Sequence, residues 1–167
     1  SFMEFGLNIV GLRYFNVYGP RQSMSNIYTQ IVPKWIRGMV NKEPITIYGD
    51  GRQTMDMIFG ADIGAANISA MDNDECKNMF LNVGTGIQTS VVDLLNLIKY
   101  QMGFLIDLSE VRFLYEDHDP NLVKERCADV TQMHKYLGSH NISVNEGIAL
   151  TCKELYAKAT EWQSHNG

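Results

Sequence analysis

Apolar residues in this chain fall into short blocks separated by turn-forming residues, and the blocks differ in period. Asn8 to Phe15 (NIVGLRYF) is short and rich in apolar and β-favouring residues, which predicts a buried strand. Asn16-Val17-Tyr18-Gly19-Pro20-Arg21 follows as a loop, marked by its Gly-Pro pair. Ile27, Ile31, Val32, Trp35, Ile36 and Met39 then recur at helical spacing. Pro33 lies inside that pattern, so the helix either begins near Pro33 or kinks there. Ile45 to Tyr48 reads as a short strand, Gly49-Asp50-Gly51 as a turn, Met55 to Phe59 as a strand and Ala61 to Met71 as a helix.

Met79 to Val83 is a second buried strand, ended by Gly84-Thr85-Gly86. Ser90, with Asp93 three residues later, caps a helix that ends near Gly103. Val111 to Tyr115 is a further strand. Asp129 is placed to cap a short helix stopping at Gly138, and Ser143 with Glu146 forms a capping box for a last helix, roughly Val144 to Gln163. Strands and helices alternate without an internal repeat, which predicts an α/β fold with a parallel or mixed sheet.

Composition narrows the function classes. Apolar residues make up 45% and charged residues 20%, the balance of a globular domain rather than a disordered or collagen-like chain. The net charge of -5 and the lack of a basic stripe argue against a nucleic-acid partner, but leave room for an anionic small ligand in a local pocket. Cys76, Cys127 and Cys152 are far apart and odd in number, so neither a disulfide framework nor a zinc site is expected, and a reducing compartment fits. His118, His134, His140 and His165 lack HxH or HExxH spacing, so no metal is expected. No apolar run reaches the roughly 18–20 residues of a membrane span. Ser1 to Gly6 has no basic stretch of a signal peptide and reads as the end of a helix, so the chain is expected to open in mid-element.

Four segments carry a resemblance. They are Leu12–Arg21 (LRYFNVYGPR), Ile45–Asp56 (ITIYGDGRQTMD), Leu81–Gly86 (LNVGTG), and Asp119–Val123 (DPNLV) through Ala128-Asp129. In this order and spacing they resemble the extended short-chain dehydrogenase/reductase family, in its NAD-dependent nucleotide-sugar epimerase and dehydratase branch. The resemblance covers about residues 7 to 163, and UDP-glucose 4-epimerase-like members are nearest in character. It implies the C-terminal part of a Rossmann-type doubly wound parallel sheet plus a small α/β substrate-binding domain. On that reading residues 1–26 close the NAD-binding domain, 27–60 bind substrate, 61–103 return to the Rossmann sheet and 104–167 complete the substrate domain.

The same family needs a GxxGxxG turn for the dinucleotide and a Tyr-x-x-x-Lys pair in which the Lys lowers the pKa of the acid/base Tyr. Neither occurs in this sequence. The expectation is therefore a chain without its own catalytic residues, inactive alone, whose parent is a cytoplasmic NAD-dependent homodimer acting on a nucleotide-sugar. An open sheet edge is then expected to drive self-association.

Resemblance also implies the site. Tyr14, Phe15 and Asn16 would lie beside the nicotinamide, and Asn16 would also bond the diphosphate-sugar region. Gln30, Ile31 and Pro33 match the stretch that holds the nucleotide base, with Ile45 and Tyr48 closing the other side. Arg21 and Arg126 are candidate diphosphate partners, and Arg52 a weaker one. Each has a plainer role as well: core aromatics for Tyr14 and Phe15, a turn residue for Asn16, core for Trp35 and Met39, exposed charge for the arginines.

Three positions depart from the family. Met55 stands where many epimerases carry a phosphate-clamping Arg, and a thioether cannot replace a bidentate cation. Gly60 and Gly64 replace larger residues near a helix start, at about 1 kcal/mol each relative to Ala if helical. Asp62 is the candidate N-cap there. These departures leave open a degenerate, non-catalytic binding or assembly module, and chance similarity leaves open an unrelated α/β module. Two adjacent parallel strands at Asn8–Phe15 and Met79–Val83 would argue against the second.

Overall fold

A computed structural model describes residues 6–24, 30–117, 124–139 and 142–166, with side chains as far as residue 161. The strands are β1 (Gly11–Tyr14), β2 (Asn16–Tyr18), β3 (Ile45–Tyr48), β4 (Thr54–Phe59), β5 (Phe80–Val83), β6 (Gln88–Ser90) and β7 (Phe113–Glu116). The helices are α1 (Ile31–Asn41), α2 (Gly60–Asp72), α3 (Val91–Gly103), α4 (Thr131–Tyr136) and α5 (Val144–Asn166). β1 and β5 form a parallel pair, β3 and β7 another, and β2-β4-β6 a mixed sheet in which β2 runs parallel and β6 antiparallel to β4. The α/β expectation and the predicted parallel neighbours at the two buried runs both hold.

Several boundaries differ, each for a tertiary reason. Pairing of the first strand starts only at Gly11, whose N–H donates to Met79 O at 2.9 Å. The predicted loop at Asn16 is instead β2. At Phe15 the chain donates its last N–H to β5 (Val83 O, 3.0 Å), and the next residue pairs with Met57 of β4. β6 was not foreseen, because three polar residues show no period and become a strand only beside β4. Pro33 falls in the first turn of α1, where its missing N–H costs nothing. Ile27 and Asp119–Val123 lie outside the described residues.

Two of the expected caps form. Ser90 Oγ accepts from Asp93 N at 3.0 Å, and Ser143 Oγ from Glu146 N at 3.3 Å. Asp62 is not a cap. Phe59 occupies that position without a side-chain bond, while Asp62 is buried in the first turn and accepts from Ile142 N at 3.2 Å. Asp129 sits one residue before the cap of α4 and accepts from Thr131 N at 3.0 Å.

β4 separates two apolar clusters because its side chains alternate. Met57 and Phe59 face the larger cluster, with Tyr18, Trp35, Ile36, Met39, Ile98 and Leu155, and half-buried Met55 packs against it. Ile58 faces the smaller one, with Leu81, Val83, Cys76, Met133 and Leu137. All three cysteines are free thiols. Among the described residues no helix is long and apolar enough to cross a membrane.

Gly64 lies within α2, exposed, and no atom comes within 4 Å of where a Cβ would stand. No packing reason for glycine exists there. Gly64→Ala is expected to stabilise the chain by about 0.5–1 kcal/mol. A fall in the thermal midpoint would contradict this.

Among the described residues β1 pairs with β5 alone, and the face opposite the smaller cluster is bare: Phe80 is 71% exposed, lying across Gly11 with the Arg13 guanidinium 5.7 Å from its ring centre. The open edge expected of this chain is present among the described residues. Parallel sheets are stable when covered and open edges recruit strands. Light scattering at micromolar concentration is expected to report oligomers, and a monodisperse monomer would overturn that expectation.

Candidate functional site

The step from β1 to β2 at Phe15 places Asn16 where one sheet hands the chain to the next. Its side-chain amide donates to the backbone oxygen of Asp56 on β4 at 3.1 Å. Asp56 itself is 0% exposed. A buried carboxylate is costly unless its oxygens are bonded, and here four donors reach it. Oδ1 accepts from Thr85 N (2.7 Å) and Thr85 Oγ1 (2.6 Å), and Oδ2 from Gly86 N (2.9 Å) and Ala128 N (3.1 Å). Gly84 makes this approach possible, since a Cβ there would sit 2.7 Å from both Asp56 Oδ2 and Ala128 Cβ.

Ala128 belongs to a stretch that runs beside β4. Thr54 N donates to Lys124 O at 2.9 Å, and Arg126 N donates to Thr54 O at 3.2 Å. Arg126 is exposed and stands next to the start of β4, while Met55 turns its side chain into the larger apolar cluster. Asn16 is thus bonded to Asp56 and Arg126 to Thr54, two residues apart on β4. The backbone donors of this junction are taken up by the Asp56 carboxylate, and Arg126 is an exposed cation on the stretch beside it.

The other anticipated residues are dispersed. Tyr14 is 45% exposed and its hydroxyl donates to Asn67 Oδ1 at 2.9 Å, while Phe15 is half-buried. Arg21 is exposed at the rim of an open depression of about 600 Å³ that Tyr18, Phe59, Gly60 and Glu154 also line. Gln30 is exposed and accepts from Gln22 Nε2 at 3.1 Å; Gln22 also bonds Val17 O, so it ties the start of α1 to the loop after β2. Ile31 is half-buried against the core and Pro33 is buried. Ile45 is 1% exposed, with its Cδ1 directed at Gly38 of α1, so its side chain fills the core instead of walling a slot. Its strand neighbour Tyr48 is 47% exposed. Arg52 pairs with Asp50 on an exposed turn.

Asp56 was missed. Its signal was present in the sequence: a single carboxylate between Met55 and Met57-Ile58-Phe59, in a strand where Asp is disfavoured. Tyr18, the most buried of the described tyrosines, has its phenol pushed far above its ordinary range by burial and by the negative charges of Asp62 and Glu146. No group of three or more metal-ligating side chains occurs among the described residues.

Comparisons with known proteins agree on one group. Residues 2–84 match the NAD dependent epimerase/dehydratase family. A putative UDP-glucose 4-epimerase of Methanocaldococcus jannaschii is 37% identical over 100 residues, 60% of this chain and 32% of that protein. The crystal structure of a UDP-glucose 4-epimerase from Thermotoga maritima with UDP-glucose superposes with a TM-score of 0.81 at 31% identity, over 96% of this chain and 49% of that one. A UDP-glucuronic acid 4-epimerase from Bacillus cereus, in complex with UDP-glucuronic acid and NAD, superposes with a TM-score of 0.81 at 25% identity, over 94% of this chain and 48% of that one. The chain thus spans half or less of the length of these relatives.

Proposed function

We propose, from the premise that this chain belongs to the NAD-dependent epimerase/dehydratase family, that it forms the nucleotide-sugar-binding part of such an enzyme. The substrate is a UDP- or dTDP-linked sugar. The observation that carries this function is the superposition on a UDP-glucose 4-epimerase over 96% of the chain, with Asn16 and Arg126 each bonded to β4, at Asp56 and Thr54.

Bound NAD would supply reversible hydride acceptance at a sugar carbon. Residues of this chain fit only the nicotinamide end of that cofactor. Tyr14 and Phe15 lie at the carboxyl end of β1, where parallel sheets present ligands, and Tyr14 is half exposed. The sequence holds no GxxGxxG turn and no Tyr-x-x-x-Lys pair, so these 167 residues position the sugar and another part of the enzyme moves the proton. Arg126 and Asn16 hold the diphosphate. Met55, turned into the apolar cluster, leaves that charge to Arg126. Residues 1–26 and 61–103 belong with the dinucleotide-binding part, and 27–60 and 104–167 with the substrate-binding part.

Calorimetry with UDP-glucose and a dTDP-sugar, followed by an interconversion assay with added NAD, tests the division of labour. Saturable binding is expected with a dissociation constant on the order of 0.1–1 mM, roughly 4–5.5 kcal/mol, because half of the cleft is supplied. No turnover is expected. Absence of binding to every nucleotide-sugar tried, or turnover by this chain alone, would overturn the assignment.

A further inference from the structure

We propose that Asp56 is a positioning residue of the nucleotide-sugar site, setting where Asn16 and Arg126 stand relative to one another. This rests on the function proposed above. Asp56 acts on Asn16 through its backbone: the Asn16 amide bonds Asp56 O at 3.1 Å, which fixes the direction of the amide. It acts on Arg126 through its carboxylate. Arg126 is bracketed by two bonds to β4, its own N–H to Thr54 O (3.2 Å) and the Ala128 N–H to Asp56 Oδ2 (3.1 Å). The first bond fixes one side of the arginine and the second fixes the other. The same carboxylate anchors Thr85 and Gly86, the turn that ends β5, so β1 and β5 are held in place against β4.

The carboxylate is matched to this task. Both oxygens only accept, and each is approached by two donors. An Asn of the same shape offers one acceptor and one donor. Whichever way its amide turns, an NH2 group faces N–H groups, either those of Gly86 and Ala128 or that of Thr85 together with its hydroxyl. A Glu is one methylene too long, because Gly84 already leaves no space for a Cβ beside Oδ2. Charge, length and acceptor count therefore all select Asp.

The experiment uses the 167-residue chain, ¹⁵N-labelled, as wild type, Asp56→Asn and Leu155→Ala. Leu155 is fully buried in the larger cluster on α5, so its truncation controls for lost stability alone. At a temperature where all three are folded, amide exchange and chemical shifts are compared and UDP-glucose is titrated. Asp56→Asn is expected to move the Asn16 side-chain amide resonances, to speed exchange at Gly86 and Ala128, and to weaken binding about tenfold. Leu155→Ala should leave the Asn16, Arg126 and Ala128 signals and the affinity unchanged. Wild-type affinity in Asp56→Asn, or an equal loss in Leu155→Ala, overturns the proposal. If wild type binds no nucleotide-sugar, the functional assignment fails; the positioning claim then stands only if the Asn16 and Arg126 signals move together in Asp56→Asn. Should Asp56→Asn not fold, Thr85→Val, which removes one of the four donors, must shift the Gly86, Arg126 and Ala128 resonances and weaken binding, and unchanged resonances overturn the proposal.

Discussion

Gly147→Ala should destabilise the chain by about 2 kcal/mol, although alanine is the better helix former. Gly147 lies buried in the first turn of α5, against Tyr18 and Phe59. A Cβ there would press on the Tyr18 hydroxyl and come within 2.8 Å of Tyr18 Cζ and 2.9 Å of Phe59 Cδ2. The two rings already pack edge to face, 5.6 Å between centres and 66° between planes, and are 1% and 7% exposed. Neither ring has room to swing, so α5 must retreat from the sheet. Overpacking of this kind costs about 1–3 kcal/mol, and more where backbone must move, against a propensity gain of up to about 1 kcal/mol. The thermal midpoint should fall by about 4–8 °C for a chain of this size. Tyr18→Phe in the Gly147→Ala background should recover part of that loss by removing the nearest atom. A rise in midpoint for Gly147→Ala, or no recovery in the double variant, would show that this contact is not tight.

Asp56→Ala should be the most damaging single change in the chain. It leaves three backbone N–H groups without their acceptor in a site that excludes water, and the Thr85 hydroxyl with only a long bond to Ile87 O (3.4 Å). Each stranded donor costs about 1–3 kcal/mol, so the total should reach about 4–6 kcal/mol, a large part of the roughly 5–15 kcal/mol that holds a domain together. Asp56→Asn keeps some of the bonds and should cost less, about 2–3 kcal/mol. Urea unfolding at fixed pH measures both. An Asp56→Ala midpoint within about 1 kcal/mol of wild type would mean that the freed groups find other partners.

What the sequence made legible was local or strongly patterned. Ser90 and Ser143 are legible as caps because each cap oxygen and the N–H that donates to it lie three residues apart. Strands β1 and β5 were found because both are compact apolar runs, and their parallel pairing followed from the α/β order. What stayed hidden depends on distant partners. Asn16–Tyr18 and Gln88–Ser90 are strands only because β4 lies beside each. Asp62 had the composition of a cap, yet its carboxylate serves Ile142, which is 80 residues away. Ile45 was assigned to a slot by resemblance, whereas alternation along β3 puts Ile45 and Ile47 in the core and leaves Tyr48 outside. Asp56 is the instructive omission: one charged residue amid apolar strand positions already signalled a buried, fully bonded group.

The most direct test follows backbone and side-chain amide resonances while UDP-glucose is added to the chain. Saturable shifts should converge on Asn16, Met55 and Arg126 and leave the exposed Tyr100–Phe104 pair of α3 untouched. Shifts confined to α3 or spread evenly over the surface, or none at saturating ligand, would contradict the proposed function.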